Sequence, residues 1–236
     1  MKYLKYFYIL LVGVTICSAS LFSNIDASVR VPDDIRHYAN DAGLEEFKKL
    51  ISEDPIGFGY KDIEEVGQVT LGPGFQINWI DADKFANVKS SLIDVSKPTG
   101  QYEFIVLSNG EGKSFLTVER NGGRFRVISA GGDASGLSKS LAKMTSSLAS
   151  ASEHIELALI KDGNVRYLVT NVDGKEVNIP DFTSEKMALM SGMDQNQLWD
   201  SDKTISYLKQ AQFQNVDPNT DGTRGYPITE KENSHK

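Results

Sequence analysis

Ser140 and Lys143 stand three residues apart in Ser-Leu-Ala-Lys, the spacing at which a lysine one helical turn away can take a proton from a serine hydroxyl and make it a nucleophile. The later motifs that accompany such a serine are absent: Ser201-Asp-Lys-Thr204 is only an echo, and there is no Lys-Thr-Gly. A serine could instead be served by a histidine and an acid brought together in space, because a triad is defined by geometry and not by sequence order. His154 and Asp81 are the residues for that role, although no Gly-x-Ser-x-Gly elbow exists to present the serine. Ser140, Lys143, His154 and Asp81 are therefore the side chains an extracellular hydrolase would use. Each also has a structural explanation. Ser140 and Lys143 fall in a serine-rich amphipathic helix, and His154 starts a strand on the face opposite Ile155 and Leu157. Asp81 and Asp83 flank a strand-to-helix junction, where an acid caps a helix.

Asp217-Pro-Asn219-Thr-Asp221-Gly222 has the alternating oxygen ligands and the turn glycine that Ca²⁺ requires, but the twelfth position is Ile228 where a bidentate acid belongs. Asp217, Asn219 and Asp221 are thus the only candidate metal ligands, and no cofactor is expected. Gly110-Glu-Gly-Lys-Ser114 suggests a phosphate loop, yet Leu107 occupies the position of its first glycine and a hairpin surrounds it. Paired carboxylates of a retaining glycosidase must lie about 5 Å apart, and neither Asp81 with Asp83 nor Asp62 with Glu64 and Glu65 requires that reading. Three methionines in Met187-Ala-Leu-Met-Ser-Gly-Met193 could supply an adaptable contact surface.

The elements that must position these residues follow from periodicity. Pro32 to Asp54 predicts one or two helices, with Ile35, Tyr38, Ala42, Phe47, Leu50 and Ile51 at helical spacing and Gly43 as a break. From Val66 the period becomes two: Val-Gly-Gln-Val-Thr-Leu, a Gly-Pro-Gly turn, then Phe-Gln-Ile-Asn-Trp-Ile. A short helix at 81–94 and three strands follow, the strands joined by Asn109-Gly110 and Gly122-Gly123 turns. Residues 135–151 predict a helix with Leu137, Leu141, Met144 and Leu148 on one stripe, then a second antiparallel set and a helix at 201–213. The expected fold class is α+β: antiparallel sheet meanders with helices packed on one face. The domain is 28–213, readable as two helix-plus-meander halves, 28–132 and 133–213, with a disordered polar tail at 214–236.

The chain opens with Lys2 and Lys5, an apolar run from Tyr6 to Ile16 and then small residues, the order of a secretory signal peptide covering 1–27. Its one cysteine, Cys17, follows Ile16, a bulky residue where lipid attachment needs a small one, so removal with the signal is favoured over anchoring. The mature chain would hold no cysteine, hence no disulfide, thiol nucleophile or thiolate metal site. Loss of two lysines and one aspartate takes the net charge from −7 to −8, which disfavours nucleic acid and anionic membranes as partners.

The stretches LGPGFQINWID and PTGQYEFIVLSNGEGKSFLTVERNGGRFRVISAGG resemble a strand-and-turn pattern in uncharacterised secreted and surface proteins of Gram-positive bacteria. The chain is also loosely similar to the small α+β modules of bacterial protease propeptides. The resemblance implies export and a binding or inhibitory role, and transfers no functional residue. The expectation is an exported, non-enzymatic protein that binds a secreted or surface macromolecule, a protease or an envelope component, with the hydrolase as alternative.

Overall fold

The computed structural model describes residues 31–87, 91–148, 156–163, 165–181 and 197–214. The first helical segment runs unbroken through Gly43, as α1 (Asp33–Tyr38), a π-helical turn (Ala39–Gly43) and α2 (Leu44–Ile51). Its buried stripe is Ile35, Ala39, Leu44, Phe47 and Ile51. The five-residue step from Ala39 to Leu44 is the extra residue of the π turn, which rotates the stripe. Ala42 and Leu50, expected on it, therefore face solvent. A Cβ on Gly43 would stand 3.3 Å from the Tyr38 carbonyl oxygen and 3.5 Å from Leu116, so the glycine lets the helix lie close to the sheet. Asp62 caps α3 (Ile63–Gly67), its carboxylate accepting from the Glu65 N–H at 2.8 Å.

The predicted turn at Gly72-Pro-Gly74 is not a turn. β1 runs continuously from Thr70 to Ile80, with a register shift between Leu71 and Gly74, and Val66, expected in a strand, belongs to α3. A Cβ on Gly74 would fall 2.3 Å from the Phe104 ring, and one on Gly72 2.9 Å from the Ile105 carbonyl oxygen. These glycines make room for a neighbouring strand. Pro73 is tolerated because it sits in the bulge and the strand on the other side pairs only with Ile77–Trp79.

After α4 (Ala82–Asn87) come β2 (Ser96–Ser108), β3 (Glu111–Asn121) and β4 (Arg124–Gly131), then α5 (Ser135–Leu148). A second meander follows: β5 (Ala158–Asp162), β6 (Val165–Val172), β7 (Lys175–Asp181) and the short β8 (Trp199–Asp200), with α6 (Ser201–Gln214) last. The hairpin turns carry the expected positive φ, 52° at Asn109, 82° at Gly110, 50° at Asp173 and 80° at Gly174. All eight strands form one sheet, ordered β4-β3-β2-β1-β5-β6-β7-β8. Every pairing is antiparallel except β1 with β5, where three residue pairs join the two meanders.

The α+β class with antiparallel meanders is the fold adopted. Helices occupy both faces of the common sheet, however, and not one. On the first face, α1 and α2 cover Tyr102, Phe104, Val106, Leu116 and Val118, while Phe85 of α4 and Ile205 and Leu208 of α6 cover Ile160, Tyr167 and Val169. On the second, Leu137, Leu141, Met144 and Leu148 of α5 pack on Phe75, Ile77, Ile105, Phe115, Leu159, Leu168 and Ile179. Joining two meanders through parallel strands relates them by a half-turn along the strand direction, which puts their leading helices on opposite sides.

The second face is concave. The Arg166 guanidinium on β6 lies 4.0 Å from the centre of the Phe115 ring on β3. Those strands are four places apart, about 19 Å in a flat sheet, beyond the reach of the two side chains. α5 lies in the resulting trough. Ser138 meets β3, where its Oγ occupies the place a Cβ on Gly112 would take, and Ser140 meets β7, donating to the Pro180 carbonyl at 3.1 Å.

Candidate functional site

The residues a hydrolase would use are not assembled. Ser140 is buried, and its hydroxyl hydrogen is given to the Pro180 carbonyl, which leaves no base on the proton a nucleophile must lose. Lys143 lies on the exposed side of the same helix. Asp81 stands at the far end of β1, where its carboxylate caps Lys84 N–H at 2.9 Å and pairs with Lys97. That contact with Lys97, and then the Lys84 N–H, hold the Asp81 carboxyl below its usual range. His154, Asp217, Asn219, Asp221, Cys17 and the methionine stretch 187–193 lie outside the described residues. Among the described residues no group of three or more histidine, cysteine or acidic side chains is placed to hold a metal ion. No described helix is long and apolar enough to cross a membrane.

What the fold does assemble is four charges on the concave face. Glu103 of β2 accepts from Arg166 Nε at 2.6 Å, from Arg166 Nη2 at 3.2 Å and from Lys161 Nζ at 3.0 Å. Lys161 is on β5 and Arg166 on β6, so the network crosses from one meander to the other. Asp181, the last residue of β7, completes it with a carboxylate oxygen 3.8 Å from Arg166 Nη1. Glu103 and Asp181 have side chains only 3% and 0% exposed. The two acids are driven apart. Burial opposes ionisation of Glu103, but Arg166 and Lys161 outweigh it and hold that carboxyl below its ordinary range. Asp181 is pushed up to about 6, chiefly by burial, with Arg166 acting against the shift and Glu103 and Asp133 adding to it. Among the described residues neither Asp181 oxygen has a hydrogen-bond partner. Separation of two carboxyls in one cluster is a recurrent mark of functional sites.

Periodicity brought none of these four forward, because single charges in strands read as solvent-facing. A signal was present. In Leu157-x-Leu159-x-Lys161, Arg166-x-Leu168, Ile179-x-Asp181 and Glu103-x-Ile105 each charge continues the buried register of its strand.

A second feature lies where β4 ends. An open cleft of about 680 Å³ is bordered by Phe58, Glu65, Ser108, Lys113, Asp133 and Ser135. The Glu65 carboxylate accepts from the Ser108 hydroxyl and the Lys61 N–H, both at 2.6 Å, and these bonds, Ser108 first, hold it ionised below the usual carboxylate range. Lys113 borders the cleft from the Gly-Glu-Gly-Lys-Ser hairpin, and its carbonyl accepts the Ala134 N–H at 3.2 Å ahead of α5. With Glu65, Glu111 and Asp133 against Lys113 the cleft is acidic, unsuited to phosphate.

Comparison with family models, curated proteins and solved structures finds no match. The functional reading therefore rests on geometry alone.

Leu50, Ile56, Phe58 and Ile63 are exposed large apolar side chains within one short stretch of chain, Ile56 at 77% and Ile63 at 60%, and of these Phe58 borders the cleft. Phe58 lies against the end of β4: its ring is 3.0 Å from where a Cβ on Gly131 would stand.

Proposed function

We propose that this chain is an exported binding protein that docks an extended segment of a secreted or cell-surface macromolecule along its β4 side. The observation that carries the reading is the edge strand β4 with Phe58, one of four exposed apolar side chains in residues 50–63, against its end. Among the described residues β4 pairs only with β3, so its outer side has no strand partner, although the Val127 N–H is taken by the Tyr38 hydroxyl. Phe58 provides apolar anchorage at one end of that edge, and Leu50, Ile56 and Ile63, its neighbours in the chain, are exposed as well. Isolated exposed apolar side chains are ordinary, but four of them within residues 50–63, one against the end of an edge strand, are the composition of a contact surface. A secreted protease held inactive or an envelope component is the partner class. The bulge between Val127 and Ser129, and Arg126 engaged with Glu119 at 2.8 Å, discourage indiscriminate pairing along the edge.

The test is capture from secreted and surface fractions with the chain 28–236, comparing wild type with the Ile56→Ser/Ile63→Ser double variant. One dominant partner, lost in the variant at unchanged thermal midpoint, is expected. Equal capture by both proteins, or turnover of ester, glycoside or peptide substrates by the wild type, would overturn the reading.

A further inference from the structure

Asp181 is the buried titratable group with the least to hold it. The two meanders meet directly through three residue pairs of β1 and β5, Ile77–Trp79 with Leu159–Lys161. Beyond them, the polar bonds across this seam include the Asn78 amide to the Leu159 carbonyl at 3.3 Å and the salt bridges from Glu103 to Lys161 and Arg166. Arg166 is thus the clasp that reaches furthest, since it also covers Phe115 on β3. Asp181 stands beside that clasp with both oxygens unpartnered.

The charged groups around Asp181 are Arg166 from β6, Lys161 from β5, Glu103 from β2 and Asp133 just ahead of α5. α5 itself presents Ser140, whose hydroxyl is committed to Pro180. A protonated Asp181 asks nothing of Arg166. An ionised Asp181 is a buried charge without a hydrogen bond among the described residues, and the cation beside it is Arg166, at 3.8 Å. Arg166 spends Nε and Nη2 on Glu103 and faces Asp181 with Nη1; closing that 3.8 Å gap to hydrogen-bond distance shifts the guanidinium against Glu103 and Phe115.

We propose that Asp181 is a proton-operated catch on the seam between the two meanders: with its carboxyl protonated Arg166 clasps Glu103 alone, and with it ionised Arg166 is shared and the seam loosens. Burial places the change near pH 6, within the range an exported protein meets outside a cell. Glu103, held low, stays ionised throughout and keeps its end of the clasp. The inference is independent of the docking reading.

The experiment is amide hydrogen exchange of β1 and β5 in the chain 28–236 at pH 5 to 7.5, corrected for intrinsic exchange, on wild type and Asp181→Asn. Protection of Ile77–Trp79 and Leu159–Lys161 is expected to fall several-fold in the wild type as pH rises through about 6, and to stay level in the variant, whose side chain cannot ionise. The same fall in the variant would overturn the proposal. Should the variant fail to fold, a carbon-13 titration of the wild-type carboxyl decides: a midpoint near 6 supports the catch, and one near the ordinary 3.8 overturns it.

Discussion

Asp181 and Glu103 show at the residue scale how one environment gives two carboxyls opposite tendencies. Glu103 accepts three charge-assisted hydrogen bonds, and Asp181 accepts none. The consequences for stability have opposite signs. Because folding raises the Asp181 carboxyl from 3.8 to about 6, its stabilising contribution is full below 3.8, shrinks as pH rises and is gone above about 6. The span corresponds to about 3 kcal/mol. Asp181→Asn is therefore expected to be more stable than wild type at pH 7.5, by up to about 3 kcal/mol, with the advantage vanishing near pH 4; paired urea titrations at the two pH values measure it. Glu103 behaves conversely: its contribution is present above the ordinary 4.5 and lost as pH falls through its lowered value. Glu103→Gln leaves Lys161 and Arg166 buried against a neutral amide, a change expected to cost about 3–5 kcal/mol at neutral pH. Ser140→Ala, by contrast, removes one neutral hydrogen bond to Pro180, a loss of about 1 kcal/mol in the same measurement. A far greater loss of any hydrolytic activity in that variant would restore the serine-enzyme alternative.

At the element scale, β1 and the first helical segment show where glycine was misread. Gly-Pro-Gly has the composition of a turn, but Gly72 and Gly74 serve proximity, because Phe104 occupies the space a Cβ on Gly74 would need. Gly74→Ala is accordingly expected to destabilise the protein by about 1–3 kcal/mol through overpacking, seen as a lower thermal midpoint, whereas alanine at an ordinary exposed turn would be nearly neutral. Gly43 likewise marks close approach within a π turn and not a helix end. Turns with Asn-Gly and Asp-Gly were readable because the positive φ they need is a local property of those residues. Approach distance is not local, so no window of sequence contains it.

For the whole molecule, two meanders share one sheet, curl around α5 and expose a free edge at β4. If that edge and the exposed apolar side chains of residues 50–63 are the working surface, Ile56→Ser with Ile63→Ser removes binding while leaving the thermal midpoint unchanged, since the two are 77% and 60% exposed and surface substitutions of this kind cost within about 0.5 kcal/mol. The sequence by itself determined the α+β class, the three-stranded run from Gln101 to Ala130, helices expected at 135–151 and 201–213 that the structure has at Ser135–Leu148 and Ser201–Gln214, and the Asn-Gly and Asp-Gly turns, because hydrophobic period and turn chemistry act over a few neighbouring residues. Only the tertiary structure decided that the meanders join through β1 and β5, that helices cover both faces, and that Ser140 points at a carbonyl while Lys143 points at solvent. The same holds for the charge network. Glu103, Lys161, Arg166 and Asp181 lie up to 78 residues apart in the chain and become neighbours only because the sheet curls; burial, which raises both carboxyls, and the pairing with Arg166 and Lys161, which brings Glu103 back down, exist only once it has.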